Sequence, residues 1–250
     1  MELQQLKNRL YDLADRSYAQ GVFTFTGFLG LGEQDVFRQE ESRLKYAGCT
    51  VYGGCENAER VMVRFGSAEN FGYDVPFPIV CIHIRPLMQK FADELSHRDF
   101  LGALMNLGID RSTVGDIKVG EKQAYLFCLD SVAEFICLNL DKVRHTSVQC
   151  SVTESVEALA QEEPELVSVC VQSVRVDGVL AKVYNISREK SLELFRTGKI
   201  FVNGRLCENN ARSLKAGDIV NTRGYGKFRL EEGNRETRKG KLAIEVAVYR

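Results

Sequence analysis

The 250-residue chain has no tryptophan, and only four prolines, four methionines and three histidines. It has eight cysteines (Cys49, Cys55, Cys81, Cys128, Cys137, Cys150, Cys170 and Cys207), but no two form a CxxC or CxxxC pair. Tetrahedral metal centres use closely paired thiolates. No metal site is therefore expected, and buried free thiols in a reducing compartment are the better reading. Long apolar runs are missing too. The longest charge-free stretch, 17–32, is interrupted by Gly, Thr, Ser and Gln and falls short of the ~20 apolar residues of a membrane span. The opening Met-Glu-Leu-Gln-Gln-Leu-Lys is polar, unlike a secretory signal. Leu3, Leu6, Leu10 and Leu13 mark one stripe of an amphipathic helix instead. The expectation is a cytoplasmic protein without a membrane partner. His83, His97 and His145 stand near no GxSxG or HExxH motif and read as structural. No cofactor or small-molecule substrate is expected, and no glycine-rich loop follows a strand as a methyltransferase would need.

Excess charge of one sign is also absent, with 33 basic against 34 acidic residues. Taken whole, that balance argues against a nucleic-acid binder. The average is misleading. Residues 175–250 hold 17 basic and 9 acidic side chains, a net of +8, whereas residues 1–174 carry a net of -9. Such asymmetry is a hint of a polyanion-binding module. A solvated basic surface without a partner has the same composition.

Hydrophobic residues at 44% supply enough material for cores. The pattern predicts an α+β protein. Residues 1–78 read as a small α/β unit, with helices over 2–19 and 33–46, a β-prone stretch over 22–26, and strands over 49–52 and 60–65. Pro76 and Pro78 bracket a boundary. Residues 79–152 follow β-α-β-β-α-β, with helices over 98–107 and 131–141. That order suggests a split βαβ sandwich, as in ferredoxin-like and RNA-recognition domains, although no RNP1-type aromatic motif lies on its strands. Residues 153–172, with Glu162-Glu163-Pro164-Glu165, read as an acidic linker into a last domain over 173–250.

In that last domain, Val176, Leu180, Val183 and Tyr184 are spaced as one helix face. Ser187 is a good N-cap for a second helix over 188–197, with Gly198 placed to end it. Ile200–Val202 reads as a strand before the tight-turn pair Asn203-Gly204. Ile219–Thr222 follows as a strand, and the alternation of Leu242, Ile244, Val246 and Val248 ends the chain on another. Arg223-Gly-Tyr-Gly-Lys-Phe228 has two readings. It is a concavity whose N–H groups, Arg223 and Lys227 hold a phosphate while Tyr225 stacks on an unpaired base, or it is a glycine-rich β-turn.

Four blocks now carry a resemblance. Arg175-Val-Asp-Gly-Val-Leu, Ser187-Arg188, Gly198-Lys-Ile-Phe-Val-Asn-Gly204 and Leu214-Lys-Ala-Gly-Asp-Ile219 together resemble an S4 RNA-binding domain, a compact αα–β module. The resemblance implies an RNA-facing surface of Arg175, Ser187, Arg188, Lys190 and Lys199, with Lys182 and Asn203 alongside. It also favours RNA contact by Arg223, Tyr225 and Lys227. Taken singly, Ser187 is equally a plain helix cap, Arg188 and Lys190 solvated charges, and Asp177 an internal partner of Arg175. His97-Arg-Asp-Phe-Leu-Gly-Ala-Leu-Met-Asn-Leu-Gly108, Val114-Gly-Asp-Ile117 and Cys55-Glu-Asn-Ala-Glu-Arg60 extend the likeness. Over nearly its full length the chain resembles the YlmH-like bacterial S4 proteins, which have relatives among plastid photosystem II S4-domain proteins. That family is non-enzymatic. It implies ribosomal RNA, tRNA and the large ribosomal subunit as partners, and a role in quality control of stalled peptidyl-tRNA. It also draws attention to His97, Arg98, Asp99, Arg111 and Asp116, with His97, Arg98 and Arg111 as a second RNA surface; taken singly, Asp99 is equally a helix cap and Asp116 a turn holder.

Rival readings belong to other classes. A pseudouridine synthase needs an Arg-Leu-Asp context, which His97-Arg98-Asp99 only echoes. A tyrosyl-tRNA synthetase fragment needs a signature that His83-Ile-Arg-Pro86 lacks. A protein-interaction scaffold could use the acidic N-terminal domains.

Overall fold

The structure, a computed structural model, describes residues 2–55, 58–153, 164–233, 235–236 and 240–249. The described residues up to Thr153 form one compact unit and those from Pro164 onward a second. Both are mixed α+β.

In the first unit, α1 (Glu2–Gln20) buries Leu10 and Ala14 completely. Next come β1 (Thr24–Phe25), α2 (Leu31–Leu44), β2 (Cys49–Tyr52), β3 (Met62–Phe65) and the single-turn α3 (Ala68–Phe71). The Glu33 carboxylate accepts the Gly30 N–H at 2.7 Å, so α2 starts two residues earlier than its periodicity suggests. The three strands form an antiparallel sheet in the order β1-β3-β2. Leu10, Phe37, Leu44, Val63 and Phe65 form the core between this sheet and its two helices.

The same unit continues with β4 (Ile79–Pro86), α4 (His97–Asn106), β5 (Val114–Gly120), β6 (Gln123–Leu129), α5 (Asp130–Asn139), β7 (Lys142–Val143) and β8 (Thr146–Thr153). The sheet order is β5-β6-β4-β8-β7, antiparallel throughout. Without the short edge strand β7, this is the split βαβ arrangement expected from the sequence. Ile82, Ile84, Leu126 and Val148 pack with Phe100 and Leu104 of α4 and Ile136 of α5 into one core. The period of two therefore leaves His83, Arg85, Gln123 and Tyr125 on the opposite face.

Helix α4 is capped from within. Ser96 donates from its N and Oγ to Asp99 Oδ2 at 2.8 and 2.7 Å. These bonds, the backbone one foremost, hold the Asp99 pKa below its ordinary value. A carboxyl depressed in the fold contributes stability that is complete above its unfolded pKa and disappears as pH falls through the folded value. Asp99→Ala should therefore lower the melting temperature at neutral pH, with the gap closing in acid as the carboxyl takes up its proton. A pH-independent gap, measured by circular dichroism melts, would contradict the capping role.

The second unit opens with β9 (Glu165–Val171). Then come α6 (Val176–Val183), α7 (Arg188–Arg196), β10 (Ile200–Val202), β11 (Arg205–Leu206), β12 (Ile219–Thr222), β13 (Gly226–Leu230), β14 (Arg235–Glu236) and β15 (Leu242–Tyr249). Strand β15 pairs with β13 and β14 on one edge and with β9 on the other, from Leu242↔Val171 to Val248↔Glu165. Part of the expected linker is therefore a core strand. Val169 and Val171 are buried there, an alternation masked by the acidic residues before it. The rest of that linker, 154–163, lies outside the described residues. The predicted turns form as expected. Gly198 has φ +62° at the end of α7, and Asn203 and Gly204, at φ +51° and +76°, join β10 to β11. Val179, Leu180, Leu194, Ile200, Val220, Phe228 and Ile244 belong to the core of this unit.

Candidate nucleic-acid interface

The start of α6 is built around a buried carboxylate. Asp177 is 1% exposed. It accepts two bonds from Arg175, Nε to Oδ1 at 3.2 Å and Nη2 to Oδ2 at 3.0 Å, and one from the Gly178 N–H at 2.9 Å. Arg188, at the first position of α7, approaches the same Oδ2 at 3.6 Å. Ser191 Oγ donates to the Asp177 carbonyl at 3.1 Å, fastening α7 to α6. The internal pairing that the sequence allowed for Asp177 is thus present, and it aims two guanidinium groups from one anchor. Both remain partly in water, with Arg188 the more open at 73% side-chain exposure.

Ser187 caps α7, its Oγ accepting the Lys190 N–H at 3.1 Å. Loss of this cap should cost about 1 kcal/mol, so Ser187→Ala should weaken the fold modestly in a urea titration. The Lys190 ammonium lies 2.8 Å from Glu193 Oε2. That bond raises the lysine pKa and lowers the glutamate's. Lys190 is therefore half of an exposed pair rather than a lone charge.

The glycine-rich run resolves into a hairpin. Register pairs Thr222 with Gly226, the Tyr225 N–H bonds the Thr222 carbonyl at 2.9 Å, and Gly224 and Gly226 take φ of +88° and +107°. The turn reading is the one realised, and it corrects the picture of an open phosphate cradle. Lys227 is a strand residue, partly buried, with Nζ 4.5 Å from the centre of the Tyr249 ring. Burial lowers its pKa. Arg223 and Tyr225 remain at the surface. Arg223 lies 4.7 Å over Phe201 and its N–H bonds the Lys199 carbonyl at 2.9 Å, which brings these two basic residues together. Tyr225 rests on Tyr184, ring centres 5.5 Å apart.

Of the two residues expected alongside that surface, one is drawn into the fold and one is exposed. Asn203 is buried, its amide donating to Asp218 at 2.8 Å and its carbonyl accepting from the Ile219 N–H at 2.9 Å. An αL turn needs that local support, so the side chain is used inside the fold. Lys182 is exposed near the end of α6.

The second proposed surface does not assemble as one patch. Arg111 turns inward to the carbonyls of Val114 (2.6 Å) and Gly115 (3.4 Å), and burial lowers its pKa to about 10. Desolvation, followed by the Arg111 charge, lowers the His97 pKa. Arg98 lines a separate groove of about 480 Å³ with Asn106, Lys142 and Arg144. Asp116 holds a turn as expected, accepting the Glu59 and Arg60 N–H groups at 2.8 and 3.0 Å. Sequence reading missed the sheet face carrying His83 and Tyr125. Its signal was the alternation within 79–86 and 123–129, hidden because those strands read as continuous apolar runs. Among the described residues there is no cluster of His, Cys, Asp or Glu suited to a metal ion, and no helix is long and apolar enough to cross a membrane.

The fold defines a mixed α+β protein whose second unit carries a cluster of basic side chains. Residues 74–157 match a family described as the putative RNA-binding domain in YlmH. The chain is 27% identical over 220 residues to the ribosome-associated protein quality control protein P2 of Bacillus subtilis, covering 88% of this chain and 84% of that protein. A solved structure titled cell division protein ylmH from Streptococcus pneumoniae aligns with a TM-score of 0.49 at 19% identity, over 64% of this chain and 95% of that one. By these two comparisons the chain is similar to YlmH-type proteins, the likeness that its motif blocks carried.

Proposed function

We propose that this protein is a non-enzymatic, cytoplasmic RNA-binding factor of ribosome-associated quality control. Its second unit acts as an S4 domain that binds structured ribosomal RNA, and tRNA, on large subunits carrying stalled peptidyl-tRNA. The observation that carries this reading is the cluster of Arg175 and Arg188 on one buried aspartate, in a unit whose net charge is positive. Phosphate contacts of this kind position a protein on RNA, while shape and stacking select the site. The name of the Bacillus subtilis relative supports the ribosomal setting, and the matched family supports RNA as the ligand.

The test is sedimentation of the full chain through sucrose gradients with large subunits, with and without peptidyl-tRNA. Co-migration should be stronger with peptidyl-tRNA present. Arg188→Ala with Lys190→Ala should weaken it without unfolding the protein, and should flatten the salt dependence by up to about two phosphate contacts. Ribosomal RNA recovered afterwards should carry no new modified nucleotide. An unchanged salt slope would refute this face, and an Asp99-dependent pseudouridine would refute the non-enzymatic reading.

A further inference from the structure

The helix-free face of the five-stranded sheet has features that the second unit's basic cluster does not account for. His83 of β4 lies flat on Tyr125 of β6, ring centres 4.6 Å apart and planes 4° from parallel. His83 Nε2 is 2.9 Å from Gln123 Oε1, which fixes the plane of the imidazole. Register puts Ser151 beside His83, Gln149 beside Arg85 and Lys118 beside Tyr125. Arg85 is exposed, and its guanidinium reaches Gln149 only at 3.5 Å. Lys118 is 39% exposed and its Nζ lies 3.6 Å from Asp116 Oδ2. Asp116 is buried and also accepts two backbone N–H groups, so Lys118 shares that carboxylate with them. At the other end, Phe127, Cys81 and the buried Tyr125 pack with Cys55 and Ile79, so the open part of the face is the outer side of His83 and Arg85.

We propose that this face is a binding platform for unpaired RNA. A base stacks on the outer side of the His83 ring, already held flat by Tyr125 and Gln123. Gln149 and Ser151 present an amide and a hydroxyl to the base edge, and Arg85 and Lys118 meet the flanking phosphates. Sequence-tolerant recognition of single strands uses this combination of a planar ring and flanking cations. A duplex keeps its bases stacked and out of reach of a flat sheet, so the ligand is single-stranded. The inference rests on the RNA-binding reading above and deepens it, because it assigns a second, chemically different site within residues 74–157.

The experiment measures binding of the full chain to a short, unstructured, fluorescently labelled oligoribonucleotide and to an RNA duplex. His83→Ala with Arg85→Ala should reduce affinity for the oligonucleotide by roughly five- to a hundredfold and leave duplex binding unchanged. His83→Phe, which keeps a flat ring, should restore most of the loss in the single-site background. Ultraviolet crosslinking should join the oligonucleotide to a peptide from β4 or β6. Unchanged oligonucleotide affinity in the double variant overturns the platform, as does a phenylalanine variant no better than alanine, or a face that crosslinks on ribosomes only to protein. These failures leave the ribosome reading standing if Arg188→Ala with Lys190→Ala still weakens sedimentation with large subunits. A wild-type chain that binds neither RNA nor subunits overturns both.

Discussion

Arg60→Ala should destabilise the first unit by about 3–5 kcal/mol, the sum expected when several part-buried carbonyls lose a charged donor. Arg60 joins the two sheets of that unit. Its Nε donates to the Val114 carbonyl at 2.9 Å, and Nη2 donates to the Phe28 and Arg111 carbonyls at 2.7 and 3.1 Å. Its own N–H is held by the buried Asp116 carboxylate. Burial lowers the guanidinium pKa, the mark of a charge drawn out of water. Alanine leaves three carbonyls without that donor; Val114 keeps the one from Arg111 Nη1, while Phe28 is too enclosed for easy hydration. Lysine should recover only a fraction, because a point charge cannot replace a planar fork. The chain has two compact units, so a single bulk transition is an unsafe measure. Native-state hydrogen exchange at the amides of β3 and β5 reports the unit directly. A loss below about 1 kcal/mol, the scale of an exposed pair, would show that the carbonyls find other donors.

This junction also shows where sequence reading stops. The two N-terminal segments were legible as separate patterns, because helix period and strand period are local properties. Nothing local announces that Arg60 reaches carbonyls at positions 28, 111 and 114, or that Gly115 is needed because a Cβ there would lie 2.6 Å from the Phe28 ring. The turns at Gly198 and Asn203-Gly204 were legible for the opposite reason, since positive φ selects its residues. Strand β9 was not, since composition pointed one way and a four-residue alternation the other. For the candidate site, residue types identified the basic cluster but not its wiring. Ser187 caps α7 and Arg175 and Arg188 meet on Asp177, while Asn203, Arg111 and Lys227 were drawn into the fold. His83 was read as structural because a lone histidine carries no periodic signal. Its stacking on Tyr125 appears only once β4 and β6 are paired.

Asp177→Ala should have the next largest effect, about 2–4 kcal/mol on the second unit, because it strands a partly buried guanidinium and an N–H together. Asp177→Asn keeps an acceptor for the Gly178 N–H and one for Arg175, and should cost about half as much. The asparagine variant is the informative one for RNA. It retains both arginines and removes a negative charge between them, so general attraction to polyanions should hold or rise. Arg175 and Arg188 would lose the anchor that sets their directions, so affinity for large subunits should fall while affinity for heterogeneous RNA does not. Competition of labelled subunits against bulk RNA, at several salt concentrations, separates the two effects. If Asp177 acts only by neutralising charge, both affinities should rise together, and the buried aspartate would be a structural pair without a part in positioning the arginines. If it positions them, the selectivity ratio should drop with the salt slope unchanged, because the number of phosphates contacted is the same.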